Sequence, residues 1–522
     1  MDSSDLQQLL QARAFTHAAR DIELRETHIS WVVLCGEFAY KIKKPVNFGF
    51  LDFSTPALRQ HFCEQELALN RRFAPELYLA VVPITREEQG LSFAGDGPVI
   101  DHAVKMRRFD EGQLLDRLAA RGELDRSLVR ELAREFARLH ATAPICRPDA
   151  KQQAPGTPGI LGDAIEQNFT QVRAYPLTAA DRRQLALVAQ WTRRHFEQLT
   201  PILAQRIIDG RVIDGHGDAH LGNIALIDGS VRLFDCIEFN PSLRIMDSIA
   251  EIAFLTMDLE ARGYHDEGHW LLSDYLEYRD DFDGLVLLDL FRSYFAMVRA
   301  KVALLREPPG TDSITATAGH ADFRRYLAMA HNYCQPGTRF LAITHGVSGS
   351  GKSTIADKLV AAGGAVRIRS DVERKRLYGL APEQRSQPRD EARLYSAAMS
   401  RRTFARLGEL AAGVLAAGFA VIVDATFLHR PGRDNFRALA TRLDLPFIII
   451  ECQASPDQLR QRLVERERHR QDASEAGVKV MESQLARIEP LADIELAFRV
   501  KADSSEQGGL LWRRLQQCLG SL

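Results

Sequence analysis

A chain of 522 residues is too long for one hydrophobic core, so roughly two to four domains are expected. Its 45% hydrophobic and 26% charged content is ordinary for a globular protein, and a net charge of −2 provides no overall basic field for general nucleic-acid binding. No apolar run approaches the ~18 residues that span a bilayer, "MDSSDLQQLL" is not a secretory leader, and seven Cys are scattered without a CxxC pair. The expectation is a cytoplasmic protein with reduced thiols and no membrane partner.

Before residue 110 the chain reads as strands and hairpins. "HISWVVLCGEFAYKIKKPV" forms two strands joined at Gly36-Glu37, with a later strand at "HAVKMRRF". From Leu114 to about Leu305 the pattern is mostly helical, as in "RSLVRELAREFARLHATAP", where apolar residues recur three and four apart. "RPDAKQQAPGTPGI" is an internal loop, and "REPPGTDSITATAGH" (Arg306 to His320) and "CQPGTR" are breaks with a helix from about Ala321 between them. After 339, strands and helices alternate ("RFLAITHG", "AVRIRSD", "FAVIVDATF", "FIIIECQA"), which predicts a parallel sheet with crossover helices. The expected fold is an α+β domain over 1–330 followed by an α/β domain over 336–522, with the boundary near 335.

Two stretches carry phosphoryl-transfer chemistry. In "HGDAHLGNIALIDGSVRLFDCIEF", Asp218, Asn223 and Asp235 stand in the order that kinase-type transfer needs. One carboxylate accepts the acceptor hydroxyl's proton, while an amide and a second carboxylate hold Mg²⁺ against a triphosphate. A hairpin between Asn223 and Asp235 brings these ligands face to face. The arrangement demands a lysine on an N-terminal strand and an acid on the next helix. "FAYKIKK" supplies Lys41, with Lys43 on the same strand face, and "CEQELALNRRF" supplies Glu66 or Glu64.

The second stretch is "GVSGSGKST". Gly346 to Ser353 fits G-x-x-x-x-G-K-[ST] between an apolar strand and a helix. Gly346, Ser348, Gly349, Ser350, Gly351 and Thr354 form a cradle whose N–H groups face phosphate at the helix N-terminus. Lys352 reaches the β- and γ-phosphates of ATP, and Ser353 ligates Mg²⁺. Asp424, ending "VIVD", is placed either to hold the Mg²⁺ shell or to cap the next helix. Asp371 in "SDVER" serves as base to an acceptor hydroxyl, with Arg374 one turn on to hold an acidic group; a capping acid with solvated basic neighbours fits equally. Asp371 is expected on the strand beside the P-loop strand. Arg462 and Arg466 read as lid residues over ATP or as part of a charged surface helix.

Together, strand–P-loop–helix, "SDxxR", "VIVDAT" and the Arg-rich segment ahead of "DASEA" resemble the small P-loop kinases over about residues 338–500. "HGDAHLGNI" and "LARLHA" resemble the aminoglycoside phosphotransferase and choline kinase family, a branch of the protein-kinase-like fold. The chain departs from protein kinases in lacking G-x-G-x-x-G and in having "FDCIEF" where D-F-G would stand. The order of the halves resembles bacterial fusions of an aminoglycoside phosphotransferase-like and an AAA-type ATP-binding domain. The resemblance implies Asp218 as catalytic base, Asn223 and Asp235 as Mg²⁺ ligands, Lys41 on the ATP phosphates, and small hydroxylated acceptors. Two rival expectations stand beside it: a polynucleotide 5′-hydroxyl kinase in the second half, and an ATP-binding switch without turnover.

Overall fold

The computed structural model of the protein describes Met1 and residues 3–49, 51–305, 318–469 and 474–521. Two compact units emerge. One comprises Met1–Leu124, Leu139–Gln171 and Arg194–Asp258; the other comprises Asp125–Arg138, Val172–Arg193 and Leu259–Leu522. The second therefore takes in helices that precede residue 335 as well as the sheet that follows it. Most of the expected break at Arg306–His320, and the start of "DASEA", lie outside the described residues; the helix expected from about Ala321 runs Ala318–Tyr333.

In the first unit β1 (Glu23–Glu26), β2 (Ser30–Cys35), β3 (Phe38–Lys43), β4 (Tyr78–Glu87), β5 (Gly90–Phe93) and β6 (Val99–Arg107) form an antiparallel sheet in the order β1-β2-β3-β6-β4-β5. Cys35 pairs with Phe38, so Gly36-Glu37 is a two-residue turn, and Gly36 supplies its positive φ of 56°. Alternate residues Trp31, Val33 and Cys35 meet Tyr40 and Ile42 in the core. The helix Pro56–Asn70 starts where Thr55 accepts the Leu58 N–H at 3.2 Å and Pro56 takes the first turn. Buried Arg59 ties this helix to β6, with Nε 3.0 Å from both oxygens of Asp101. That anchor sets the helix register over the sheet, and with it Glu66.

Four short strands follow: β7 (Val212–Asp214), β8 (Ile224–Ile227), β9 (Ser230–Leu233) and β10 (Ile245–Asp247). β8 and β9 are the expected hairpin, turning through Asp228 and Gly229 with φ of 50° and 76°. β7 pairs with β10.

The second unit holds β11 (Leu341–His345), β12 (Val366–Arg369), β13 (Val421–Asp424), β14 (Phe447–Cys452) and β15 (Arg499–Ala502) in a parallel sheet ordered β12-β13-β11-β14-β15. β11 and β13 are buried throughout, as the continuous apolar runs of a two-sided parallel sheet require. The expected position of Asp371 is corrected here. β12, which leads to it, is separated from the P-loop strand β11 by β13, so Asp424 and not Asp371 ends the neighbouring strand. The helix Gly508–Gly520 packs on the P-loop helix Lys352–Gly363, where a Cβ on Gly363 would lie 2.5 Å from the Trp512 ring. Among the described residues no helix is long and apolar enough to cross a membrane.

Candidate active sites

In the first unit Lys41 on β3 donates to Glu66 Oε1 at 2.8 Å and to Asp235, which follows β9. Lys43 donates to the other oxygen of Glu66 at 2.7 Å and to Glu238. The alternatives of the sequence thus resolve unevenly. Both lysines take Glu66, whereas Glu64 is exposed and accepts from Gln60 at 3.0 Å. Burial alone would lower the Lys41 ammonium, but Asp235, Glu66 and Glu238 outweigh it and hold its pKa well above the ordinary lysine value. Burial would raise Glu66, and Lys41 and Lys43 overcome it to hold that carboxyl below its usual range. Glu238 goes the other way: burial raises it despite Lys43.

Asp235 sits at φ 62°, a left-handed conformation that costs a residue with a Cβ on the order of 1–3 kcal/mol. Its N–H donates to the Tyr78 hydroxyl at 3.0 Å, and the next N–H, of Cys236, to Asn70 Oδ1 at 2.9 Å, so two neighbouring elements hold the strained turn. Asp218 and Asn223 also come together, with Asn223 Nδ2 donating to Asp218 Oδ2 at 3.0 Å. Asp218 is near enough for its charge to oppose ionisation of Asp235, whose carboxyl stays below its usual range because Lys41 outweighs burial.

The loop carrying Asp218 is held from beneath. Glu251 accepts the N–H groups of His216 and Gly217, and its other oxygen meets His140 Nε2 at 3.0 Å. His216 Nε2 donates to the Phe234 carbonyl at 2.8 Å while its Nδ1 accepts the Asp218 N–H at 3.3 Å. This pattern fixes a neutral imidazole with its proton on Nε2, and burial lowers its pKa accordingly. Lys43's pairing, Glu238, Tyr78, Glu251 and His140 escaped the sequence reading. Glu238, the acid immediately before Phe239 in "FDCIEF", was the one available signal, since an acid in an apolar run asks for a buried cation.

In the second unit one pocket of about 320 Å³ is lined by Ser348, Gly349, Gly351, Lys352, Ser353, Thr354, Asp371, Arg374, Asp424, Arg462 and Arg466. Gly346 and Ser350 belong to the same loop but line its other side, in a pocket of about 550 Å³. Gly349 and Gly351 have φ of 85° and 86°, and a Cβ on Gly351 would lie 2.7 Å from Ser504 Cβ. The loop thus needs glycine there for backbone reasons. Lys352 Nζ donates to the Val347 carbonyl at 2.7 Å, and burial lowers its pKa against the pull of Asp424.

Asp424 does not cap the following helix, whose N-cap is His429. Its buried Oδ2 has no hydrogen-bond partner. Asp371 lies in the first turn of the helix Ser370–Tyr378, whose N-cap is Arg369, and accepts from Arg374 at 2.9 Å. Arg374 stacks 5.0 Å from the Tyr395 ring centroid. Arg462 donates to the Gly349 carbonyl at 3.4 Å and Arg466 to that of Ala476. Among the described residues no group of three or more His, Cys, Asp and Glu could hold a metal ion. The donors present, a lone buried carboxylate with a hydroxyl in one site and carboxylates with an amide in the other, fit a hard divalent cation that keeps phosphate and water as its remaining ligands.

A family model described as an AAA domain matches residues 341–491, the P-loop part of the second unit. Fold and sites together define an α+β unit with a lysine–carboxylate site and an α/β unit with a P-loop on a parallel sheet. The chain belongs to the same family as an uncharacterized protein of Mycobacterium tuberculosis, to which it is 31% identical over 457 residues, 87% of this chain and 88% of the relative. Among solved structures it is similar to the amicoumacin kinase hAmiN in complex with AMP-PNP, Ca²⁺ and Ami (12% identity, 64% of this chain and 94% of that one, TM-score 0.40). It is also similar to a sugar kinase from Janibacter (22% identity, 35% of this chain and 95% of that one, TM-score 0.27).

Proposed function

We propose that the protein is a cytoplasmic ATP-dependent phosphotransferase with two nucleotide centres, each acting on a hydroxyl group of a small molecule. The observation that carries this reading is the meeting of Lys41, Glu66 and Asp235, drawn from a strand, a helix and a strained turn far apart in sequence. A charge cluster of that composition suits a triphosphate better than a structural role, because Asp235 remains partly exposed beside Asp218.

In the first centre Lys41 binds the nucleotide phosphates and Glu66 orients it. Asp218 accepts the hydroxyl proton as the acceptor oxygen bonds to the γ-phosphorus and the bond to the ADP oxygen breaks. Asn223 and Asp235 would hold Mg²⁺, which supplies charge neutralisation on the phosphates. In the second centre the Gly346–Thr354 loop, Lys352, Arg462 and Arg466 bind ATP, and Ser353 with the unpartnered Asp424 would hold Mg²⁺. Asp371 takes the acceptor's proton and Arg374 holds an acidic group on that acceptor.

Calorimetry with Mg·ATPγS tests the reading. Two sites are expected on the full chain, one lost in Lys352→Ala and the other weakened in Asp235→Ala. A single site abolished by Lys352→Ala would leave the first unit without nucleotide. ATP consumption against a panel of hydroxylated metabolites and 5′-hydroxyl oligonucleotides then identifies the acceptors. Binding without consumption by any of them would favour a nucleotide switch.

A further inference from the structure

We propose that the helix His265–Arg279, which precedes the P-loop by some seventy residues of sequence, positions Asp371 of the second centre, with Glu277 as the residue through which it acts. Glu277 is buried and Arg369 lines the pocket. Glu277 Oε1 accepts from Arg369 at 3.3 Å, its Oε2 lies 3.8 Å from Arg367, and its backbone carbonyl accepts from Arg376. The segment bearing Asp371 is therefore pinned to this helix on both sides, two and four residues before the carboxylate and five after it. The Ser273 hydroxyl accepts the Arg367 N–H at 3.1 Å, adding a backbone bond to the same attachment.

The P-loop helix is tied to the same platform. Arg126 forks between Asp274 and Asp357, with Nη2 3.0 Å from Asp274 Oδ1 and Nε 2.9 Å from Asp357 Oδ2. Arg367 bridges the same two acids at 3.4 and 3.3 Å. Asp357 lies one turn beyond Ser353 on the helix Lys352–Gly363. One helix thus holds both the phosphate cradle and the strand end that presents Asp371, so their separation is set by buried and half-buried charge pairs. Fork-to-carboxylate contacts of this kind fix geometry as well as contributing energy. Neutralising Glu277 removes its charge from Arg369 and Arg367 and loosens the 367–376 segment while leaving the cradle attached through Asp274 and Asp357.

The inference rests on Asp371 being the acceptor's base, and the test separates the two. In the full chain carrying Asp235→Ala to silence the first centre, Glu277→Gln and Asp371→Ala are compared by ADP formation from Mg·ATP that depends on the panel of hydroxylated metabolites, Mg·ATPγS affinity, melting temperature and deuterium uptake. Glu277→Gln should cut acceptor-dependent ADP formation by about 10²-fold, the effect of a misplacement near 1 Å. It should match Asp371→Ala with affinity and melting temperature kept, and uptake should rise over residues 367–378 but not 352–363. Loss of ADP formation together with ATPγS affinity or melting temperature would mean a merely structural role and overturn the proposal. Unchanged uptake overturns it whatever the turnover. If Asp371→Ala forms acceptor-dependent ADP at the parent rate, the base assignment fails and this inference with it; if only Glu277→Gln does, the positioning role alone fails.

Discussion

Glu66→Gln offers the sharpest test of the first centre, because Glu64 two residues away is a built-in control. Glu66 is fully buried and its two oxygens receive two ammonium groups, Lys41 at 2.8 Å and Lys43 at 2.7 Å. Removing one partner of a buried charge pair costs about 3–5 kcal/mol. Lys41 keeps Asp235 and Lys43 keeps Glu238, which puts the expected loss at the low end, about 3 kcal/mol. For a unit of this size each kcal/mol moves the midpoint by ~2–4 °C, so the first unit's melting transition should drop by roughly 6–12 °C. Calorimetry or circular dichroism on the full chain reads it, and Glu64→Gln should leave the transition in place.

The effect also has a signed pH dependence. Glu66 is held below the ordinary value of 4.5, so its contribution is present above that value and is lost as pH falls through the lowered folded one. The gap between parent and variant should therefore close on acidification. A gap no larger than that of Glu64→Gln, or one that widens in acid, would refute the three-acid, two-lysine cluster around Glu66.

Four further outcomes follow from the same geometry. Asp218→Asn should retain ATPγS affinity but lose transfer at the first centre by ~10²-fold or more, read as single-turnover phosphate transfer with Lys352→Ala disabling the second. Lys352→Ala removes a charge-assisted bond worth ~1.5–3 kcal/mol, so calorimetry should show nucleotide affinity at that site falling by roughly 10–150-fold. Gly351→Ala should abolish the same site by a different route, since its φ of 86° and the 2.7 Å approach to Ser504 leave a methyl group no room; a crystal structure or binding curve like the parent's would contradict this. Division between residues 330 and 336, the boundary proposed from the sequence, should yield two cooperatively melting fragments that associate on mixing, because Asp274 and Glu277 would lie on one and Arg367 and Asp357 on the other. Insoluble fragments would move the boundary, and a mixture that elutes as two separate peaks would refute the association these pairs imply.

Local patterns were legible where one residue's chemistry dictates its surroundings. Gly36 announced a two-residue turn, alternation announced β2 and β3, and the glycines of "GVSGSGKST" announced a strand–loop–helix with a phosphate cradle. Spacing also offered Lys41 or Lys43 with Glu66 or Glu64 as an ion pair and left the choice open. What the sequence did not disclose is long-range pairing. Strand order in a parallel sheet leaves no trace in alternation, so β13 between β12 and the P-loop strand came as a correction. β15 is four residues with only two buried, too short and too polar to stand out. Glu251 under the Asp218 loop and Glu277 beside Arg369 are acids on helices, where the same letters ordinarily face solvent.

The order of the parallel sheet has a consequence for synthesis. Leu511 and Leu515 close the core over β11 and β14, and β15 completes the edge. The pieces of the second unit made earliest, Asp125–Arg138 and Val172–Arg193, emerge from the ribosome several hundred residues before those leucines exist. Arg126 and Trp270 must wait in a growing chain for Asp357, Asp274 for Arg367, and Ile448 and Ile450 for the helix that covers them. Non-local closure of this kind folds slowly and leaves apolar strand surface open in the interval. Yield from a fast heterologous host should therefore respond to slower translation or added chaperone far more than that of a chain whose core fills in the order it is made.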